Sequence, residues 1–133
     1  MRNFVVTDRV EVELAAIVKA LAVDRVFVLV DENTAECCLS RVDLSEFEPF
    51  VIKIKAGDES KTIDAAVGIW NELVDNGATR ASLLLNVGGG VVTDLGGFVA
   101  ATFKRGMRFV NVPTTLLGVV DAATGGKTGV NFR

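Results

Sequence analysis

Three consecutive glycines join an apolar run to a second apolar segment, and this feature constrains the fold more than any other. Residues 83–87 are Leu-Leu-Leu-Asn-Val, and the glycines Gly88, Gly89 and Gly90 lead into residues 91–102. The pattern predicts a buried strand, a turn without side chains and a helix. Such a turn presents unpaired backbone N–H groups and the positive end of the helix dipole, which suits a phosphate. We therefore expect a nucleotide or dinucleotide ligand.

Strand and helix patterns alternate along the rest of the chain. Strand-length apolar runs occupy residues 4–6, 25–30, 50–54 and 109–112, and helical patterns occupy residues 10–23, 35–42, 60–74 and 116–121. Ser60 is the expected N-cap of the third helix and Gly77 its C-terminal stop. Because no hairpin signal separates the strands, the order predicts one α/β domain over residues 1–133, with a Rossmann-like parallel sheet and helices on both faces.

Length and charge exclude several classes of protein. The chain has 133 residues, half of them hydrophobic, which is enough for one domain with a proper core. Its net charge is −3, with no dense basic patch, so a nucleic-acid partner is not expected. No apolar run approaches the roughly 20 residues that span a bilayer, and the N-terminus has no signal-peptide character. We expect a soluble cytoplasmic protein without a membrane partner.

The chain contains no histidine, which excludes a Ser-His-Asp triad, a Cys-His pair and a histidine metal ligand. Its two cysteines, Cys37 and Cys38, are adjacent. Adjacent cysteines lack the spacing of a zinc site and rarely bridge to each other, so we interpret them as packing residues in a reducing compartment. The residues therefore predict no metal site within this chain.

Polar residues follow two of the predicted strands. Asp31 and Asn33 lie just past a strand end, where open α/β sheets bind ligands, although a helix N-cap at Asn33 or Thr34 explains this turn equally well. The segment Gly57-Asp58-Glu59-Ser60-Lys61 follows the next strand. Local structure does not explain Lys61 or the acidic pair, and a solvated charge cluster at a helix start is the alternative.

Two generic nucleotide motifs do not match. The dinucleotide fingerprint needs a third glycine where this chain has Thr93, and an acid about 20 residues later, where it has Val110 and Asn111. Residues 126–128, Gly-Lys-Thr, resemble the end of a P-loop, but the first glycine of that motif would fall on Asp121. A Walker-type ATPase is therefore not predicted.

A longer pattern resembles the 3-dehydroquinate synthase family. It consists of three blocks in order, at residues 88–106, 112–121 and 125–131, with weaker support at Asp31, Asn33 and residues 57–61. The resemblance implies conversion of the sugar phosphate 3-deoxy-arabino-heptulosonate 7-phosphate to 3-dehydroquinate in the shikimate pathway. It also implies bound NAD, a divalent metal such as zinc or cobalt, and a homodimer in the full-length enzyme.

The resemblance assigns site residues by position. It implies that Gly90, Val91, Val92, Thr93 and Asp94 contact the pyrophosphate and nicotinamide side of NAD, with Gly88 and Gly89 as further cofactor-binding positions. Asp31, Asn33, Gly57, Asp58, Glu59 and Lys61 are expected to contact the cofactor as well, and the segment from Gly57 to Lys61 matches the adenosine-ribose site. Further cofactor contacts fall on Thr114, Thr115 and Leu117. Asp121 and Lys127 are implied to face both cofactor and substrate as catalytic residues, since a lysine supplies a point charge for a developing alkoxide.

Three departures from the family pattern affect these expectations. Residues 121–124 are Asp-Ala-Ala-Thr where the family usually has Asp-Ser-Ser-Val, and Asp58 replaces a glutamate. The helical domain that carries a glutamate and two histidines as metal ligands is not in this sequence. We therefore expect the 133-residue chain by itself to be inactive.

Alternatives to this enzyme remain. One is another sugar-phosphate cyclase, and a second is the NAD domain of an iron-dependent alcohol or glycerol dehydrogenase. A non-catalytic nucleotide-binding module is the third. The dehydrogenases usually have Ala-Gly-Thr-Gly-Ser-Glu where this chain has Leu-Leu-Gly-Val-Val-Asp at residues 116–121.

Overall fold

The computed structural model describes residues 3–5, 10–37, 39, 44–113 and 130–132. Its strands are β1 (Asn3–Val5), β2 (Val26–Asp31), β3 (Phe50–Ile54), β4 (Leu83–Gly88), β5 (Arg108–Pro113) and β6 (Val130–Phe132). Its α-helices are α1 (Val10–Leu21), α2 (Glu32–Cys37), α3 (Ile63–Asp75) and α4 (Gly90–Thr102). Short 3₁₀ turns occupy Ser45–Phe47, Asp58–Ser60 and Phe103–Arg105.

The described strands form one sheet in the order β1-β6-β5-β4-β2-β3. The strands β3, β2, β4 and β5 are mutually parallel, which confirms the predicted parallel sheet with helices. β6 is antiparallel to both β5 and β1. The sequence did not predict β6, because a run of three residues is too short to establish a strand pattern; pairing with β5 determines this strand.

A topological switch point lies between β2 and β4. The chain leaves β2 towards β3 on one side of the sheet and leaves β4 towards β5 on the other. Leu29 of β2 pairs with Asn86 of β4, so Asp31 and Gly88, two residues further along each strand, end at the same level. Open α/β sheets bind ligands in the crevice outside the carboxyl ends of strands at such a point.

Helices cover both faces of the sheet, and each face has its own buried cluster. The first cluster joins α1 to β2, β4 and β5 through Leu14, Val18, Val28, Leu85 and Val110. The second joins α3 and α4 to the other face through Leu29, Ile69, Leu73, Leu84, Leu95 and Val99. All six residues of β4 are buried, as expected for a central strand of a parallel sheet that is covered on both faces.

The ends of α3 correct one prediction and confirm another. Thr62, not Ser60, is the N-cap, because its side chain accepts a hydrogen bond from the N–H of Ala65. Ser60 is buried and instead donates its hydroxyl to the Lys55 carbonyl oxygen, at 2.6 Å. Gly77 ends the helix as predicted: its φ is +81°, and its N–H bonds to the Val74 carbonyl in a Schellman arrangement.

The helix α2 begins three residues earlier than residues 35–42 predicted. It follows β2 without a connecting loop, and its N-cap is Asp31 rather than Asn33 or Thr34. One carboxylate oxygen of Asp31, Oδ1, accepts the N–H groups of Asn33 and Thr34 at 2.9 and 2.8 Å. Asp31 is therefore both the last residue of β2 and the N-cap of α2.

Candidate functional site

The turn between β4 and α4 is shaped by its glycines. A Cβ on Gly88 would lie 2.6 Å from Val92 Cγ2, so only glycine lets the strand end this close to the helix. Gly89 is the N-cap in an extended conformation, and no side chain caps the helix. The first helical bond runs from the Thr93 N–H to the Gly89 carbonyl, at 3.1 Å. The N–H groups of the first helical turn consequently lack an intrahelical partner.

The side chains that follow the turn have different environments. Gly90 is exposed, and a Cβ there would meet no atom within 4 Å. Val91 is half-buried, whereas Val92 is completely buried beneath the turn, so only its backbone remains for a ligand. The Thr93 hydroxyl lies 3.3 Å from the Gly89 carbonyl oxygen and 3.2 Å from that of Gly90. The open side of the turn is therefore mainly backbone.

The carboxyl end of β2 contributes Asp31 and the residues after it. Asp31 is half-buried and uses Oδ1 for the cap of α2. Asn33 is exposed. Glu32 Oε1 accepts the N–H of Ala56 at 3.2 Å and thereby links the end of β2 to the loop after β3.

The loop after β3 follows a tight path. Gly57 has a φ of +106°, a conformation that favours glycine, and the N–H of Ser60 bonds to its carbonyl at 3.1 Å. Glu59 is exposed and its Oε1 lies near Gly57. The backbone of Asp58 lies in the 3₁₀ turn, and its side chain falls outside the described part of the structure.

Two expected cofactor residues contact each other. Lys61 Nζ donates to Asp94 Oδ2 at 2.9 Å, which joins the loop after β3 to α4. The two residues line an open cleft of about 270 Å³ together with Thr62, Ile63, Leu95 and Phe98. The structure therefore brings the segments of the chain at residues 57–61 and 88–94 together at one edge of the sheet.

Five expected site residues lie outside the described part of the chain, namely Thr114, Thr115, Leu117, Asp121 and Lys127. The segment that contains them starts after Pro113, which pairs with Gly88 at the carboxyl end of β4. It ends at β6, whose Asn131 pairs with Asn111 of β5. The described residues on either side of this segment, Pro113 and Val130, lie in the paired strands β5 and β6.

Asn86 is a polar residue in the core that the sequence analysis did not assign. It is fully buried in β4, and its Nδ2 donates to Asn111 Oδ1 at 2.9 Å. Its Oδ1 has no hydrogen-bond partner among the described residues. The signal was present in the sequence as a single asparagine within an apolar run. Because the strand reads as buried, an asparagine there indicates a specific contact.

Within the described residues, no group of three Cys, Asp or Glu side chains is arranged to hold a metal ion. Across the same residues, no helix is both long and apolar enough to cross a membrane.

A parallel α/β sheet with a glycine turn at its switch point defines a class of protein, the α/β domains of Rossmann-like architecture. The family within this class follows from sequence comparison. A family model described as the N-terminal part of 3-dehydroquinate synthase matches residues 51–133. The chain belongs to the 3-dehydroquinate synthase family.

Similar proteins agree with this assignment. A 3-dehydroquinate synthase of Parabacteroides distasonis is 46% identical over 134 residues, covering 99% of this chain and 38% of that protein. Another, from Pyrococcus abyssi, is 48% identical over 121 residues, covering 90% of this chain and 36% of that protein. The chain therefore spans less than two fifths of the length of these relatives.

A solved structure with a similar fold is 2-epi-5-epi-valiolone synthase from Streptomyces hygroscopicus subsp. jinggangensis 5008, described with NAD+ and Zn2+ bound. It has a TM-score of 0.64 and 27% identity, and the match covers 87% of this chain and 34% of that one.

Proposed function

We propose that this chain is the NAD-binding domain of a 3-dehydroquinate synthase. The complete enzyme would convert 3-deoxy-arabino-heptulosonate 7-phosphate to 3-dehydroquinate and phosphate. The observation that carries the proposal is the start of α4 behind the glycine turn, which no side chain caps and which lies at the switch point of the sheet. The family to which the chain belongs supports it. Relatives named 3-dehydroquinate synthase at 46% and 48% identity support the reaction.

The residues of this edge fit a dinucleotide. The first-turn N–H groups of α4 suit a pyrophosphate, because they are hydrogen-bond donors at the positive end of the helix dipole. Gly90 has open space where a side chain would project, so a ligand can approach its backbone closely. The valiolone synthase with NAD+ bound, at 27% identity, supports the same cofactor here.

Side chains around the turn would orient the rest of the cofactor. The carboxylates of Asp31 and Glu59 are acceptors suited to ribose hydroxyls, since ionised carboxylates accept but do not donate hydrogen bonds. The proposal places Asn33, Gly57, Asp58 and Lys61 at the adenosine end, and Thr114, Thr115 and Leu117 along the cofactor. Asp121 and Lys127 would hold the substrate end, where a lysine ammonium stabilises developing negative charge.

When bound, NAD supplies transient oxidation of a substrate alcohol, which acidifies the neighbouring C–H so that phosphate can leave before the hydride returns. A divalent metal such as zinc or cobalt would polarise the alcohol oxygen. We propose that its ligands belong to a further domain outside this sequence, because the chain has no histidine and spans less than two fifths of its relatives. The complete enzyme is proposed to be a homodimer.

A second candidate is another sugar-phosphate cyclase that uses the same domain. It is favoured by the structural similarity to valiolone synthase, which has a TM-score of 0.64. The identities favour 3-dehydroquinate synthase, at 46% against 27%. The two candidates are distinguished by assaying the complete gene product with two substrates, the heptulosonate phosphate and a heptulose phosphate that lacks the carboxylate. Turnover of the first indicates 3-dehydroquinate synthase, and turnover of the second indicates another cyclase.

Calorimetric titration of this chain with NAD tests the cofactor proposal. We expect saturable binding, and we expect Gly90→Ala to weaken it by about tenfold, because the new methyl occupies the space through which the pyrophosphate approaches the backbone. Gly68→Ala is the matched control, since a Cβ there also meets no atom within 4 Å but lies on α3 away from the turn. Equal affinities for the two variants would contradict a pyrophosphate at the glycine turn.

A further inference from the structure

The sheet edge proposed to hold the diphosphate of NAD is rich in carboxylates. Acidic residues near the carboxyl ends of β2, β3 and β4, or in the first turns of the helices that follow, include Asp31, Glu32, Glu59, Asp64 and Asp94. A diphosphate is an anion, so these carboxylates oppose its binding unless their charge is compensated. Whether each carboxylate has a partner that compensates its charge therefore affects how well the edge can bind a diphosphate.

Two of these acids are compensated by backbone dipoles. Asp31 Oδ1 accepts two N–H groups at the start of α2, from Asn33 and Thr34. Glu32 Oε1 accepts the N–H of Ala56, at 3.2 Å. Backbone N–H groups stabilise a carboxylate but leave its net charge in place.

Asp94 is compensated in a different way. Its Oδ2 lies 2.9 Å from Lys61 Nζ, so a positive charge lies directly beside this carboxylate. The Lys61 and Asp94 side chains are 53% and 49% exposed, which leaves the pair at the surface of the cleft. Asp94 follows Gly90 by four residues, which is about 6 Å along the helix axis. An uncompensated charge at this distance would reduce the attraction of the helix terminus for an anion.

We propose that Lys61, in addition to its place at the adenosine end, is a positioning residue that neutralises Asp94, so that an acid of α4 can remain beside the diphosphate site without repelling the cofactor. This inference rests on the proposed NAD-binding function. The two residues are 33 positions apart in the chain, so the ion pair also holds the loop after β3 against α4. At the diphosphate, Lys61 thereby acts through Asp94, separately from any contact at the adenosine end.

A double-mutant cycle separates this role from a direct contact between Lys61 and a phosphate. If Lys61 acts by neutralising Asp94, removal of the lysine is harmful only while the aspartate is charged. If Lys61 contacts the phosphate itself, its removal is harmful whatever residue occupies position 94. Interaction energies between neighbouring residues are what such a cycle measures.

The experiment is calorimetric titration of this chain with inorganic pyrophosphate and, separately, with NAD. The variants are Lys61→Met, Asp94→Asn and the double variant. We expect Lys61→Met to weaken pyrophosphate binding about five- to tenfold. The double variant should return to within about twofold of the wild-type affinity. Pyrophosphate is the sharper probe because it has no ribose or amide that Asp94 could bind.

A second ion pair provides the matched control. Lys19 Nζ lies 3.5 Å from Glu46 Oε2, with side chains 64% and 55% exposed, on α1 and the turn before β3. We expect Lys19→Met to leave pyrophosphate affinity unchanged although it removes the same charge. Thermal melting should show little change for any of these variants, because exposed ion pairs contribute little to stability.

The outcomes separate this inference from the proposed function. A double variant that binds pyrophosphate as weakly as Lys61→Met overturns the neutralising role, even if wild-type NAD binding is normal. A wild-type chain that binds neither NAD nor pyrophosphate overturns the proposed function together with this inference.

Discussion

Gly96 of α4 lies directly against the carboxamide of Asn86 in β4: a Cβ on Gly96 would be 2.0 Å from Asn86 Oδ1. Real Cβ atoms do not approach another atom this closely, so only glycine permits the helix to sit at this distance from the strand. Both residues are buried, and the carboxamide is held by Asn111. The contact determines how closely α4, and with it the glycine turn, packs on the sheet.

Gly96→Ala should destabilise the domain by about 2 kcal/mol, because the methyl group must displace either the buried carboxamide or the helix. Urea unfolding followed by circular dichroism measures the change. Gly97→Ala is the control on the same helix, since its Cβ would lie 3.7 Å from the Phe109 ring, an ordinary van der Waals distance. Equal unfolding free energies for the two variants would refute the tight packing of Gly96.

Asn86 and Asn111 should be energetically coupled. Asn86→Ala leaves Asn111 Oδ1 without its donor, and the reverse substitution leaves the Asn86 amide without its acceptor. Each single variant should therefore lose stability, while the double variant loses less than the sum, with a coupling of about 1 kcal/mol. Chemical denaturation of all four proteins gives the cycle. Strict additivity would mean that the hydrogen bond contributes nothing.

Gly68→Ala should stabilise the domain by about 0.5–1 kcal/mol. Gly68 lies within α3, and a Cβ there would meet no atom within 4 Å. Glycine loses more backbone entropy on folding than alanine does, and no contact offsets the gain. A rise in the midpoint of urea unfolding, with an unchanged slope, is the expected result. A fall in the midpoint would show that α3 is not helical at this position.

The Asp24 carboxylate should make stability depend on pH in the acid range. It accepts hydroxyl hydrogen bonds from Ser82 and Thr79, both at 2.6 Å, and these bonds lower its pKa below the ordinary 3.8. A carboxyl with a lowered pKa in the folded state adds stability above its unfolded pKa, and this stability is lost as the pH falls through the folded pKa.

Asp24→Asn should consequently lower the unfolding free energy by about 1 kcal/mol at pH 7. The difference from wild type should shrink when the pH is lowered below the ordinary value of 3.8, because the wild-type carboxyl then becomes neutral as well. Denaturation curves for both proteins at several pH values between 7 and 2 test this. A gap of constant size across that range would exclude a role for the charge.

Much of the fold could be predicted because its determinants are local. Residues 26–30 are a continuous apolar run and residues 83–87 are apolar except for Asn86, as expected of strands covered on both faces, and they form β2 and β4. Gly77 marks the end of α3 because a left-handed residue there costs glycine little. The glycine turn before α4 could also be predicted locally, from three consecutive glycines between two apolar segments. The cofactor residues assigned to it stay a prediction until binding is measured.

The errors arise where two local solutions compete or where a partner is remote. Ser60 and Thr62 are both good capping residues, and the choice fell to Thr62 because Ser60 is held by the Lys55 carbonyl. The helix after β2 starts early because Asp31 ends one element and caps the next. The strand β6 forms only because β5 and β1 supply its hydrogen bonds.

The sequence by itself determined the order of strands and helices, the position of the glycine turn and the family, since these depend on neighbouring residues and on motif spacing. Only the tertiary structure decided that Lys61 pairs with Asp94 and that Gly96 packs on Asn86. These contacts join residues far apart in the chain, and no local periodicity specifies which side chains will meet. Both contacts depend on how closely α4 packs on the sheet. Protein interiors are close-packed, so even one added methyl group at Gly96 would move the helix.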